Sequence, residues 1–187
     1  HGDDFTSTGR ERDLQWLERK MKGEFEVKTK YLGPGDAHEQ QVRILNRIIE
    51  WHPEGLTYEA DQRHAEIVIK ELQLQLETAK AVATPGTRDD AAHGSSIGEY
   101  DLMEKTQNEA DCKLLDKAET TKFRALSARL NYLAQDRPDL QYAVKEVARR
   151  MSSPTEGDWI LMKRIGRYLL GALRAVQEFP WQSLQTQ

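Results

Sequence analysis

Asp3 and Asp4 stand side by side behind His1 and Gly2, with the apolar Phe5 after them. Adjacent carboxylates repel one another unless a cation lies beside them. Phosphoryl transfer commonly sets two Mg²⁺ ions about 3.5–4 Å apart against such a pair. The dipeptide therefore asks for a divalent metal and a third ligand, and the rest of the chain must decide whether that reading holds. A second pair, Asp89-Asp90, lies in a polar stretch and reads as a solvated turn.

Other chemistry has little support. His1, His38, His52, His64 and His93 are scattered without metal-ligand spacing. The single cysteine, Cys112, excludes an internal disulfide and a cysteine-rich zinc site. Gly33-Pro34-Gly35 lacks the Lys-Ser/Thr and the following helix of a phosphate-binding loop. No nucleophile, base and orienting group fall into a catalytic set.

The elements that would hold the acidic pair follow from periodicity. Thr8 is placed to cap a helix running to about Lys22, with Leu14, Leu17 and Met21 on one face. Phe25 to Thr29 alternates apolar and polar residues as a strand does, and Gly33-Pro34-Gly35 turns the chain. Gln41 to Ala60 reads as a hairpin. Its first strand carries Val42, Ile44, Ile48, Ile49 and Trp51, its turn is His52-Pro53-Glu54-Gly55, and its second strand carries Leu56, Thr57 and Tyr58. Asp61 can cap a helix reaching about Leu76.

From Thr84-Pro85-Gly86 the chain becomes polar and Gly/Ser-rich, which reads as a flexible linker. Three amphipathic helices are expected beyond it. Phe123, Leu126, Leu130 and Leu133 mark the first; Leu140, Val144, Val147 and Met151, after Pro138, mark the second; Trp159, Met162, Ile165, Leu169 and Leu173 mark the third. The fold class is α+β, in four parts: residues 1–83, a polar linker over 84–117, a helical bundle over 118–176 and a tail over 177–187.

With 187 residues, 31% of them charged, and a mean hydropathy of -0.76, the composition is that of a soluble protein with a core. No apolar run approaches the roughly 20 residues that span a bilayer, and no signal-peptide pattern opens the chain, so an intracellular location is expected. The net charge of -4 is unevenly spread: between Arg137 and Arg174 eight basic residues face four acidic ones. A local basic patch of this kind attracts phosphates even on an acidic molecule.

These segments, taken together, resemble the second half of a copia-type LTR-retrotransposon reverse transcriptase, part of a Pol polyprotein. Asp3-Asp4 stands where that family carries its Asp-Asp pair, although His1 replaces an aromatic residue and Gly2 a bulkier one. Leu32-Gly33, Val42 to Glu50, Gly55-Leu56, the helix from Asp61 to Leu72 and Thr84-Pro85 follow in family order. Phe123-Arg124-Ala125-Leu126 and Leu130-Asn131-Tyr132-Leu133 match its Tyr-Arg and Tyr-Leu positions. The most specific stretches are Arg137 to Val144, Met151-Ser152-Ser153-Pro154-Thr155, Trp159, and Lys163 to Gly171.

The resemblance implies an RNA-directed DNA polymerase using Mg²⁺, with Asp3 as ligand and Asp4 beside it. It implies a truncated palm over 1–83, in which Trp51, His52, Gly55 and Leu56 form a hairpin like the primer grip, then a thumb and connection bundle. Arg149, Lys163, Arg164 and Arg167 would track the backbone of an RNA/DNA template-primer duplex, and dNTP would be the substrate. Implied partners are the upstream fingers and palm and the downstream RNase H of the same polyprotein, in a cytoplasmic particle or the nucleus and with no membrane. Since the remaining catalytic aspartate and the fingers precede Asp3 in that family, the 187 residues alone are expected not to polymerise. The alternative is a degenerate or domesticated remnant that acts as a nucleic-acid-binding or interaction module.

Overall fold

A computed structural model describes residues 5–74, 79–86 and 113–182. Asp3 and Asp4, and most of the expected linker, lie outside the described residues. The chain forms two compact units, one of residues 1–59 with 176–187, the other of residues 60–175.

The first unit opens with helix α1 (Glu11–Glu24). Its N-cap is Arg10 rather than the expected Thr8, and Arg10 makes no side-chain cap bond. Glu11 and Asp13 instead place negative charge against the exposed N–H groups of the first turn. Phe25 to Thr29 adds no strand to the sheet, because this segment is tied to α1 by side chains. Thr29 Oγ1 and Tyr31 Oη both donate to Glu18, the latter over 2.8 Å. Together with Lys22, these donors hold the Glu18 carboxyl down at about 2.

Four antiparallel strands follow in the order β1 (Gln41–Ile44), β2 (Arg47–His52), β3 (Gly55–Glu59) and β4 (Val176–Pro180). The single first strand expected over 42–51 is in fact two. Leu45 and Asn46 take φ of 47° and 65°, closing a two-residue turn that pairs Ile44 with Arg47. Left-handed geometry at both central positions suits the twist of a tight hairpin, and asparagine tolerates it; leucine does so at a cost. The expected tail over 177–187 is likewise corrected, because residues 177–180 join Val176, from the end of the expected bundle, to form β4 beside β3, with Gly55 opposite Pro180.

The second unit is a bundle of α2 (Arg63–Glu71), α3 (Lys117–Ala134), α4 (Gln141–Ala148) and α5 (Glu156–Gly171). Asp61 Oδ1 accepts the backbone N–H of Arg63 over 3.0 Å while its carboxylate receives the Arg63 guanidinium, which lowers its pKa. The expected domain 1–83 therefore divides after Glu59. Ala65 and Val68 of α2 and Leu72 at its C-cap are buried in one cluster with Phe123, Leu130, Val144, Met162 and Ile165, so α2 belongs with the helices. Capping boxes start α3 (Asp116 with Glu119) and α5 (Thr155 with Asp158). Gly166 lets α5 meet α2 closely: a Cβ there would lie 2.6 Å from Leu72 Cδ1.

One core position is locally costly. Ser127 is 1% exposed, and its hydroxyl is a buried polar group without a hydrogen-bond partner. Ser127→Ala removes that desolvation cost and adds a better helix former, so it is expected to raise stability by about 1 kcal/mol. A urea midpoint that rises with an unchanged slope would register the gain; a fall would show that the hydroxyl finds a partner.

Candidate nucleic-acid interface

Position decides which cations of the C-terminal half can face a ligand. Arg137 cannot. Its side chain is 1% exposed, with Nε 2.9 Å from Asp139 Oδ1, Nη2 2.6 Å from Oδ2, and Nη1 donating to the Leu173 carbonyl. Tyr168 Oη donates to the same Asp139 Oδ2 over 2.8 Å. Burial pushes the Asp139 carboxyl up, but the Arg137 fork and the Tyr168 hydroxyl outweigh it and bring it below its ordinary value. Burial and the hydrogen bond to Asp139 raise the Tyr168 phenol in turn.

Helix α5 carries Lys163, Arg164 and Arg167, with Lys163 and Arg167 one turn apart on the same side. Lys163 is exposed. Arg164 turns back on the chain: Nε donates to the Gly86 carbonyl over 3.2 Å and Nη2 to Thr84 Oγ1 over 3.0 Å. Arg167 Nε donates to the Lys80 carbonyl over 2.7 Å. Both guanidiniums fasten residues 80–86 to α5 and keep other N–H groups for a ligand, since each has five. Arg149 follows the last turn of α4 and pairs with Glu146 at 3.1 Å, while Arg150 is exposed.

Trp51, His52, Gly55 and Leu56 flank the β2–β3 turn. Trp51 lies opposite Leu56 and His52 opposite Gly55, and Phe179 of β4 follows Leu56 across the same face. His52 Nε2 lies 3.3 Å from Thr57 Oγ1. Trp181, which sequence reading left in the tail, holds the turn down. Its backbone N–H donates to the Glu54 carbonyl over 2.9 Å, and its indole N–H to the His52 carbonyl over 3.1 Å. The only local signals were Phe179 and Trp181 on either side of Pro180, since Val-Gln-Glu-Phe-Pro does not alternate apolar and polar residues.

The acidic pair calls for a metal-binding neighbourhood. Among the described residues no three His, Cys, Asp or Glu side chains gather in a way that could hold a metal ion. Asp3 and Asp4 themselves lie outside the described residues. No catalytic step through Mg²⁺ follows from these residues. No helix of the described residues is long and apolar enough to cross a membrane.

No family model matches the chain, and no solved structure does. Three curated proteins of Arabidopsis thaliana are 45% identical to it over 51 residues, or 27% of the chain. Two are retrovirus-related Pol polyproteins, from transposons RE2 and RE1, and the third is the uncharacterized mitochondrial protein AtMg00810. The matched stretch spans 4% of each polyprotein and 21% of the mitochondrial protein. Over that stretch the chain is related to retrotransposon Pol polyproteins, as its motifs implied.

Proposed function

We propose that this chain, related over 51 residues to retrovirus-related Pol polyproteins, is a segment of a copia-type RNA-directed DNA polymerase. In this reading it contributes the part that holds the template-primer duplex, and upstream residues of the same polyprotein complete the metal site and bind dNTP. The kinship is the observation that carries the reading. The order of its parts supports it: an Asp-Asp pair, a hairpin anchored at its turn, then a helical bundle whose last helix presents Lys163 and Arg167 one turn apart. Side chains of this kind contact phosphates and not base edges, so binding shows little sequence preference.

Two measurements test it. Primer extension with Mg²⁺ by the 187 residues alone is expected to be absent, because in this reading upstream residues complete the metal site. Extension that is lost in Asp3→Asn would reverse this. Affinity for an RNA/DNA duplex is expected to fall with salt at a log-log slope near -2.7, about three phosphates neutralised. A flat response would remove the duplex from the reading. It would favour instead a remnant that serves as an interaction module, for which the internal use of Arg164 and Arg167 speaks.

A further inference from the structure

The turn between α4 and α5 carries Arg149-Arg150-Met151-Ser152, a hydroxyl two and three residues after consecutive guanidiniums. Arg149, Arg150 and Ser152 are all exposed, whereas Pro154 two residues on is buried and anchors the loop. The Arg149–Glu146 pair does not withhold Arg149, since an ion pair with a two-thirds exposed guanidinium is weak. A third guanidinium reaches the same turn. Arg124 of α3 donates from Nε to the Met151 carbonyl over 2.7 Å and from Nη2 to the Ser152 carbonyl over 2.8 Å. This uses two of its five N–H groups and leaves the others beside the residue that bears the hydroxyl.

We propose that Ser152 is a phosphorylation site for a serine kinase that selects basic residues before its target, and that Arg124 captures the phosphate. Carboxylates in the cleft of such a kinase would take Arg149 and Arg150 as charge-assisted pairs and bring the Ser152 hydroxyl to the nucleotide. Ser152 Oγ attacks the γ-phosphorus of ATP, the bond to the β-phosphate oxygen breaks, ADP leaves, and the hydroxyl proton passes to the kinase's base. The product carries a charge of about -1.5 to -2 and three acceptor oxygens on a turn whose Met151 and Ser152 carbonyls Arg124 already holds. The acidic residues that follow do not cancel this attraction. Glu156 is paired with Lys113, and Asp158 is buried in the cap of α5. The modified loop is thereby tied to α3 by a charge-assisted bond in addition to the two carbonyl contacts.

The full chain is incubated with a basophilic serine kinase and Mg-ATP, and its phosphopeptides are mapped by mass spectrometry. One phosphate on Ser152 is expected, absent in Ser152→Ala, with the initial rate at least tenfold lower in Arg149→Gln/Arg150→Gln. The phosphorylated chain is expected to melt about 2–4 °C higher than the unmodified one, a gain that Arg124→Gln abolishes. Phosphate placed elsewhere, a rate indifferent to the two arginines, or an unchanged melting temperature in the phosphorylated native chain would each overturn the proposal. Comparing the native chain with and without phosphate keeps the test decisive even if Arg124→Gln folds poorly.

Discussion

Arg137→Ala is expected to destabilise the helical unit by about 3–4 kcal/mol, through loss of a buried charge pair together with the cavity left by the side chain. The guanidinium is 1% exposed and joins the Asp139 carboxylate, two residues on, to the end of α5, through the Leu173 carbonyl and, by way of Asp139, the Tyr168 hydroxyl. Asp139 is itself one-third exposed, so after the substitution it can turn towards water, which keeps the cost below that of a pair buried on both sides. Asp139→Asn is expected to cost nearly as much, because a buried cation is then left facing a neutral amide. The double variant Arg137→Met/Asp139→Asn should cost less than the sum of its single changes, since no lone charge remains. Urea unfolding followed by helical circular dichroism measures all three, and an Arg137→Ala loss below about 1 kcal/mol would contradict the assignment. The pH dependence has a definite sign. The folded Asp139 carboxyl lies below its unfolded value, so the pair stabilises fully above about pH 4 and is lost as pH falls through the folded value. Acid unfolding should accordingly be less steep in Asp139→Asn.

Arg137 also shows what the sequence could not reveal. Residue type placed it among the eight basic residues of a surface patch, but a buried arginine and an exposed one are spelled alike, and only its partners separate them. Arg164 and Arg167 present the same difficulty, because they bond to Gly86 and Lys80, 78 and 87 residues earlier. Helical spacing, by contrast, was informative: Phe123, Leu126, Leu130, Leu133, Leu140, Val144, Val147, Met162, Ile165 and Leu169 are all buried. Periodicity states which face of a helix is apolar, not what it packs on, so α2 was placed with the hairpin and not with the bundle. The break at Leu45-Asn46 went unread for a local reason, since neither glycine nor proline marks the turn. β4 went unread because a five-residue strand at the edge of a sheet needs little apolar content; Phe179 remains 52% exposed there.

Gly55→Ala is expected to cost at least about 3 kcal/mol in the strand unit and to release β4 while leaving the helical unit folded. The reason is steric. A Cβ at position 55 would lie 2.4 Å from the Phe179 carbonyl oxygen, 2.8 Å from Pro180 Cα and 3.0 Å from the Phe179 carbonyl carbon. All three are backbone atoms, so relief requires the strands to part, unlike a clash with the end of a mobile side chain. Gly33 is the control: a Cβ there meets the His38 ring at 2.9 Å, and a ring can rotate away, so Gly33→Ala should cost less. Once β4 leaves, Trp181 loses the bonds it donates to Glu54 and His52, and the β2–β3 turn loses its anchor. Faster amide exchange at Trp181 and along β3, with cleavage by chymotrypsin near Phe179, would report the release; exchange in α3 and α5 should be unchanged, because β4 belongs to the strand unit. The same variant separates the two ligand-facing parts of the proposed function. If the hairpin around Trp51 and Leu56 grips a duplex, Gly55→Ala weakens binding without changing its salt slope, whereas Lys163→Gln lowers the slope by about one phosphate.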